Sequence, residues 1–301
     1  MQRSTLALCA LIFTILSINI YAQSLIPNEK WEFVADGFEF PEGPAWHDSG
    51  VLYLSNCNGG WITRITNNKV DTLAYATDST FKKTNGIIVS ESGELFACEY
   101  GEGKILQITP EGKVSTLING SEGKSFNRPN DLAFDAKGNL YFSDPKEYKK
   151  EDPKGRIFYY NFSNEELKLV ADSLDFPNGL GISPTTKKLY VSESGRNRIL
   201  EFEITKSGDL VNLQTFIDLP GGDPDGIEFD VEGNLYVPHF GTGTVYIISP
   251  KGRILQEVKT PGKKPSNIEF GDEDLRTLYL TEDETNSVYK IRTTNTGYKL
   301  R

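Results

Sequence analysis

From Pro41 onward, apolar and polar positions recur in a fixed order. A short polar loop opens each unit, and an apolar run such as Gly86-Ile87-Ile88-Val89 follows. A turn rich in glycine and polar residues comes next, as in Ser90-Glu91-Ser92-Gly93, Asp135-Ala136-Lys137-Gly138 and Asp230-Val231-Glu232-Gly233. Behind the turns stand aliphatic–aromatic pairs: Leu52-Tyr53, Leu95-Phe96, Leu140-Tyr141, Leu189-Tyr190, Leu235-Tyr236 and Leu278-Tyr279. A third run alternates with the two-residue period of a strand, at residues 104–109, 156–160, 198–204, 244–248 and 287–292. Short strands bounded by tight-turn residues predict an antiparallel meander. No long stretch carries the period of a helix. The Leu–aromatic pairs are expected to fill the space between packed sheets.

The opening loops align with one another. They read PEGPAW from Pro41, TNGIIV from Thr84, PNDLAF from Pro129, PNGLGI from Pro177, PDGIEF from Pro224 and PSNIEF from Pro265. Each carries an oxygen-bearing side chain, at Glu42, Asn85, Asn130, Asn178, Asp225 and, with the frame slipped by one, Asn267, at intervals of 42 to 48 residues. A repeat in the mid-forties with strands inside it is the length of one propeller blade. Six units predict an all-β, six-bladed β-propeller. Trp31-Glu32-Phe33-Val34 has no unit before it, and the last unit lacks a clear outer strand after Arg292. The N-terminal strand is therefore expected to complete the last blade, which removes the open edges.

If the blades close into a ring, the six loop side chains converge on its axis. Glu42 and Asp225 supply negative charge, and Asn130 and Asn178 supply neutral carbonyl oxygens. Such a set suits a hard cation, calcium above all. Nitrogen and sulfur ligands are nearly absent, which disfavours softer ions, although magnesium, manganese and zinc remain possible occupants. Antiparallel geometry brings a second set to the same mouth, four residues beyond each paired leucine: Asn56, Glu99, Asp144, Glu193, His239 and Glu282. These are expected to surround a substrate pocket.

Other chemistries find no support. The chain has two histidines, His47 and His239, and no nucleophile elbow. It has no phosphate-cradling glycine motif either. The net charge of -10 over 301 residues argues against nucleic acid as a partner.

The N-terminus is different in kind. Gln2-Arg3 precedes an apolar run from Leu6 to Ile20, and Ala22 offers a small residue for cleavage before Gln23. Residues 1–22 read as a signal peptide, and residues 23–301 as the propeller. The mature protein is expected in the periplasm or outside the cell, off the membrane, as a monomer or weak dimer. Cleavage leaves Cys57 and Cys98, for which a disulfide and two free thiols are both open.

At the repeated loops the chain resembles the SMP-30/gluconolactonase/luciferin-regenerating-enzyme family of six-bladed propellers, with the look of its bacterial gluconolactonase-like branch. The segments that carry the resemblance are Glu42-Gly43-Pro44-Ala45-Trp46, Thr84-Asn85-Gly86, Ala97-Cys98-Glu99, Asn127-Arg128-Pro129-Asn130-Asp131 and Tyr141-Phe142-Ser143-Asp144-Pro145. Phe176-Pro177-Asn178-Gly179-Leu180 and Pro224-Asp225-Gly226 complete the set. The resemblance implies that Glu42, Asn178 and Asp225 hold a divalent metal ion. It places Asn130 beside that ion, Arg128 where it orients substrate, and Asp225 as candidate general base. Asn85, Asp144 and His239 are expected to complete the substrate site. The implied activity is hydrolysis of a small-molecule sugar lactone, with water activated by the ion or by Asp225. Two alternatives stand beside it: a non-catalytic binding propeller with a structural metal, and a different sugar-acid or phosphoester reaction at the same ion.

Overall fold

The computed structural model describes residues 24–300 apart from residues 68, 78 and 79; the expected signal peptide lies outside them. Six small antiparallel sheets are arranged as a propeller, five of four strands and one of five. The first strands of blades one to six are Pro41–His47, Thr84–Val89, Leu132–Phe134, Pro177–Ile182, the broken pair Asp223–Pro224 and Glu228–Phe229, and Pro265–Gly271. In each blade the following strands pair outward in chain order. Blade six takes its outermost strand from the N-terminal side: Glu32–Asp36 pairs with Ser287–Arg292, Glu32 opposite Lys290 and Asp36 opposite Ser287. The expected closure is what forms. No helix among the described residues is long and apolar enough to cross a membrane.

The Leu–aromatic pairs explain why the blades pack. Adjacent residues on a strand face opposite ways, so each pair feeds two neighbouring interfaces. Leu95 enters the core between blades one and two, and Phe96 the core between blades two and three. Leu140 and Tyr141, Leu189 and Tyr190, Leu235 and Tyr236, and Leu278 and Tyr279 continue the pattern. Leu52 and Tyr53 close the circle. The described residues thus form six hydrophobic clusters, each seated between two blades. Cys98 belongs to one of them. Both Cys57 and Cys98 are buried free thiols, which resolves the open alternative in favour of no disulfide.

The innermost strands touch through glycine. A Cβ on Gly86 would meet Asp131 Oδ1 at 2.5 Å, and one on Gly179 would meet the carbonyl oxygen of Asp225 at 2.4 Å. Backbone hydrogen bonds cross the same seams, from Gly86 N–H to Asn130 O at 2.7 Å and from Gly226 N–H to Ser266 O at 3.0 Å. Close approach at this layer leaves the residue just before each glycine at the mouth of the channel.

Candidate active site

The oxygen ring forms where the loops lead into the inner strands. Pro41 lies opposite Asn56, Thr84 opposite Glu99, Pro177 opposite Glu193, Pro224 opposite His239 and Pro265 opposite Glu282. The residue after each of these first partners is the ring member. The ladder shifts register immediately afterwards, between Glu42 and Ala45, Thr84 and Ile87, and Pro177 and Leu180. Such irregularities re-aim a side chain at the rim of a sheet. Register also corrects one member. Ser266, not Asn267, follows Pro265, and it is fully buried with its Oγ donating to Pro41 O at 3.0 Å. Asn267 sits one layer deeper, aligned with Gly43, Gly86, Gly179 and Gly226, where a Cβ on Gly226 would meet its side chain.

Glu42, Asn178 and Asp225 come together around a cavity of about 170 Å³, which Asn85, Asn130 and Asp223 also line. All three of the first set are nearly inaccessible, at 3%, 5% and 8% exposure. Burial pushes Glu42 up to about 8, with the charge of Asp131 as the second cause. Burial, then Glu42 and Asp131, hold Asp225 well above the ordinary carboxylate range, against a hydrogen bond from Asn178. Asn178 Oδ1 is buried with no hydrogen-bond partner. Two desolvated carboxyls and an orphaned amide oxygen are hard oxygen donors of the kind a divalent ion such as calcium takes. Among the described residues no three of histidine, cysteine, aspartate and glutamate cluster tightly enough to ligate one ion. The amide oxygen of Asn178 is therefore an integral part of the set.

A neighbouring cavity of about 200 Å³ is lined by Cys57, Asn85, Tyr100, Arg128, Asn130 and Phe176, among others. Arg128, Asn130 and Asn85 thus stand on walls next to Glu42, Asn178 and Asp225. Aromatic side chains rim both spaces: Phe40 and Phe176 line each, and Phe240 and Tyr148 line the first. Tyr148 stacks on Phe176 with centroids 4.1 Å apart, and its hydroxyl donates to Asp223 Oδ2 at 3.3 Å.

The second polar set has another task. Asp144 and His239 are fully buried and line neither cavity. Asp144, Glu193 and Glu282 each accept the N–H of a residue just ahead of an inner strand: Arg128 at 2.8 Å, Asp175 at 2.8 Å and Lys264 at 2.7 Å. Glu99 accepts from Lys82 and Lys83, and Asn56 from Glu39. These side chains fasten the loops that present the ring. His239 instead pairs with Asn197 Oδ1 at 2.8 Å and Thr242 Oγ1 at 3.1 Å, and burial lowers it to about 4.

Two acids that the sequence reading did not select line neither cavity but act on Glu42 and Asp225 through their charge. Asp131 occupies the glycine layer and is raised to about 7 by burial; its signal was an aspartate where four of the other five repeats place glycine. Asp283 follows Glu282, is 8% exposed and has an Oδ2 with no partner. Burial first, and then the charges of Glu42 and Asp225, raise it to about 10.

Residues 40–283 match the SMP-30/Gluconolactonase/LRE-like region. The chain belongs to this family. Among SMP-30/gluconolactonase relatives, the gluconolactonase of Zymomonas mobilis is 28% identical, over 88% of this chain and 82% of its own. The solved structure of a gluconolactonase from Xanthomonas campestris superposes with a TM-score of 0.76 at 30% identity, covering 87% of this chain and 88% of that one. The diisopropyl-fluorophosphatase of Loligo vulgaris is 26% identical, over 69% of this chain and 71% of its own.

Proposed function

We propose that this protein is a secreted, divalent-metal-dependent hydrolase of sugar lactones. The observation that carries the proposal is the desolvated cup of Glu42, Asn178 and Asp225 with its orphaned amide oxygen. Two gluconolactonases of similar length and fold support the substrate class. Glu42, Asn178 and Asp225 would hold the ion, and the all-oxygen donor set favours calcium. A divalent ion bound there would supply Lewis-acid polarisation of the lactone carbonyl.

The chain's own groups do the rest. Asn85 and Asn130 offer amide donors and acceptors to ring hydroxyls from the cavity wall. Arg128 orients a hydroxyl or the carboxylate of the product. The attacking water needs a proton acceptor within hydrogen-bond reach. Asp225 is one candidate, and the unpartnered Oδ2 of Asp283 is the other. The accepted proton returns to the ring oxygen as the C–O bond breaks, leaving the open hydroxy acid. Desolvation in the cup strengthens each of these contacts.

Secretion rests on the charged start, apolar run and small-residue boundary of residues 1–22. N-terminal sequencing of the exported protein should begin near Gln23. The decisive assay is a screen of aldonolactones with calcium, with chelator and after calcium is restored, corrected for spontaneous hydrolysis. Turnover that needs the ion supports the reading. Ion binding without turnover of any lactone would favour a binding propeller. Turnover confined to a fluorophosphate would favour the chemistry for which the Loligo vulgaris relative is named.

A further inference from the structure

We propose that Phe40 and Phe176 form a two-sided aromatic clamp that selects ring-shaped ligands with apolar faces over open-chain ones. The ligand class rests on the lactonase reading above. Phe40 and Phe176 have φ values of +61° and +55°. A bulky side chain in the left-handed region is a true outlier, and the following proline crowds the position further. Both phenylalanines immediately precede such a proline, Pro41 and Pro177.

The blade architecture does not demand this strain. Arg128, Asp223 and Lys264 precede Pro129, Pro224 and Pro265 at the same point of their blades, and none has a positive φ. Core packing does not demand it either. Both rings are only partly buried, and neither belongs to any of the six hydrophobic clusters. What the strained backbone achieves is placement, because both side chains line both cavities at the mouth. They belong to blades one and four, which lie across the axis of a six-bladed ring. Each stands two residues before a member of the ion-binding set, Glu42 or Asn178. Tyr148 braces Phe176 by stacking 14° from parallel, and Phe240 lies 6.4 Å from Phe40.

Backbone strain retained at a cavity wall marks a constrained functional position. Two aromatic faces over a polar floor fit a ligand that is apolar on its flat sides and polar at its edge, which describes a sugar lactone. The opened hydroxy acid keeps the hydroxyls but loses the rigid faces. The clamp therefore grips substrate more tightly than product.

The test uses the full mature chain saturated with calcium. Isothermal titration with gluconolactam, a ring that does not hydrolyse, is compared with gluconate for wild type, Phe40→Asn, Phe176→Asn, Phe40→Tyr and Phe176→Tyr. Asparagine tolerates the left-handed region, so it removes the ring and relieves the strain together. Each asparagine variant is expected to bind gluconolactam at least tenfold more weakly. Gluconate affinity should stay within threefold, and the melting temperature should be unchanged or higher. The tyrosine variants should stay within threefold of wild type for gluconolactam. Unchanged lactam affinity in both asparagine variants overturns the clamp. So does a joint loss of lactam affinity and melting temperature, which would make the phenylalanines packing residues, and so does a wild type that does not bind the lactam. Asp225→Asn separates the two ideas. If it keeps lactone turnover, the active-site assignment fails, while the lactam affinities still decide the clamp.

Discussion

Asp144 holds the backbone of Arg128: its Oδ1 accepts the Arg128 N–H at 2.8 Å, while Oδ2 accepts Arg156 Nε at 3.0 Å and Nη2 at 2.5 Å. The side chain expected to touch substrate instead positions one that can. Asp144→Ala would leave the guanidinium and an N–H without their partner. Because the Arg156 side chain is 28% exposed while that of Asp144 is 0% exposed, the cost is expected at the lower end for a broken buried pair, about 3 kcal/mol. Urea denaturation measures it. Calcium affinity of the folded variant should stay within threefold of wild type, and a larger loss would tie Asp144 to the ion rather than to the loop of Arg128.

This exchange of roles marks where the sequence was legible and where it was not. Repeat length, the Leu–aromatic pairs and the unpaired Trp31–Val34 segment are set by packing, and packing writes a strong period. The mouth depends on phase. Counting four residues from each leucine lands on the same face of the strand as that leucine, so Asn56, Glu99, Asp144, Glu193 and Glu282 turn toward the preceding loop. The next residue along is the one that reaches the cavity, as Cys57, Tyr100, Pro145 and Phe240 do. Asp283 and Ser194 hold the same position in their blades but line neither cavity. A slip of one residue reverses every face, and the same slip put Asn267 in the place of Ser266. The positive φ at Phe40 and Phe176 leaves no trace in composition, because phenylalanine is the last residue one would choose for it.

Asp225→Asn is expected to lower kcat/KM for an aldonolactone by at least about a thousandfold, because it removes an ion-holding oxygen and a candidate proton acceptor together. Glu42→Gln should weaken calcium binding at least tenfold. Circular dichroism of both variants should match wild type, since five other blades still close the ring. Wild-type turnover by Asp225→Asn would remove it from the reaction.

For Asp283 the expectation is a split between rate and ion binding. Asp283→Asn removes the unpartnered oxygen while keeping the Ser266 contact within reach, recorded at 3.5 Å. If Asp283 accepts the proton from water, kcat should fall by about 10²–10⁴-fold, the usual contribution of a general base. Calcium affinity, measured by titration calorimetry, should change less than threefold. An unaltered kcat leaves Asp225 as the acceptor.

Gly179→Ala tests the close seam beneath the cup. The new Cβ would stand 2.4 Å from the carbonyl oxygen of Asp225 and 2.5 Å from Gly226 Cα. Both are backbone atoms, so no side-chain rotation relieves the clash. Overpacking of this kind costs about 1–3 kcal/mol. Because the displaced strand carries Asp225, calcium affinity should fall along with the melting temperature. Gly138→Ala is the comparison: its Cβ would meet nothing within 4 Å, although its φ of +77° is itself unfavourable for alanine. It should cost stability while leaving calcium affinity intact. Equal calcium affinities in the two variants would show that the seam does not position the cup.

The buried acids give the ion-free protein an unusual pH dependence. Glu42 is raised from 4.5 to about 8 and Asp131 from 3.8 to about 7, burial being the first cause for both. Between those limits the folded chain binds more protons than the unfolded chain. The slope of unfolding free energy with pH is therefore negative, and the stability these groups contribute is lost as pH rises through their folded values. His239 works the other way: it is lowered from 6.5 to about 4 by burial, so its contribution rises with pH up to about 6.5 and is then flat. The window that isolates the acids is pH 6.5 to 8. In chelator, the melting temperature is expected to fall across that window. With calcium bound, the carboxylates at the cup are compensated, so the fall should shrink and the gap between the two curves should widen toward pH 8. Glu42→Gln should make the chelator curve shallower, with Asp131 and Asp283 carrying the fall that remains. A chelator curve that rises from pH 6.5 to 8 would mean that these carboxyls already have a countercharge in the folded protein, and the cup would lose its claim to a cation.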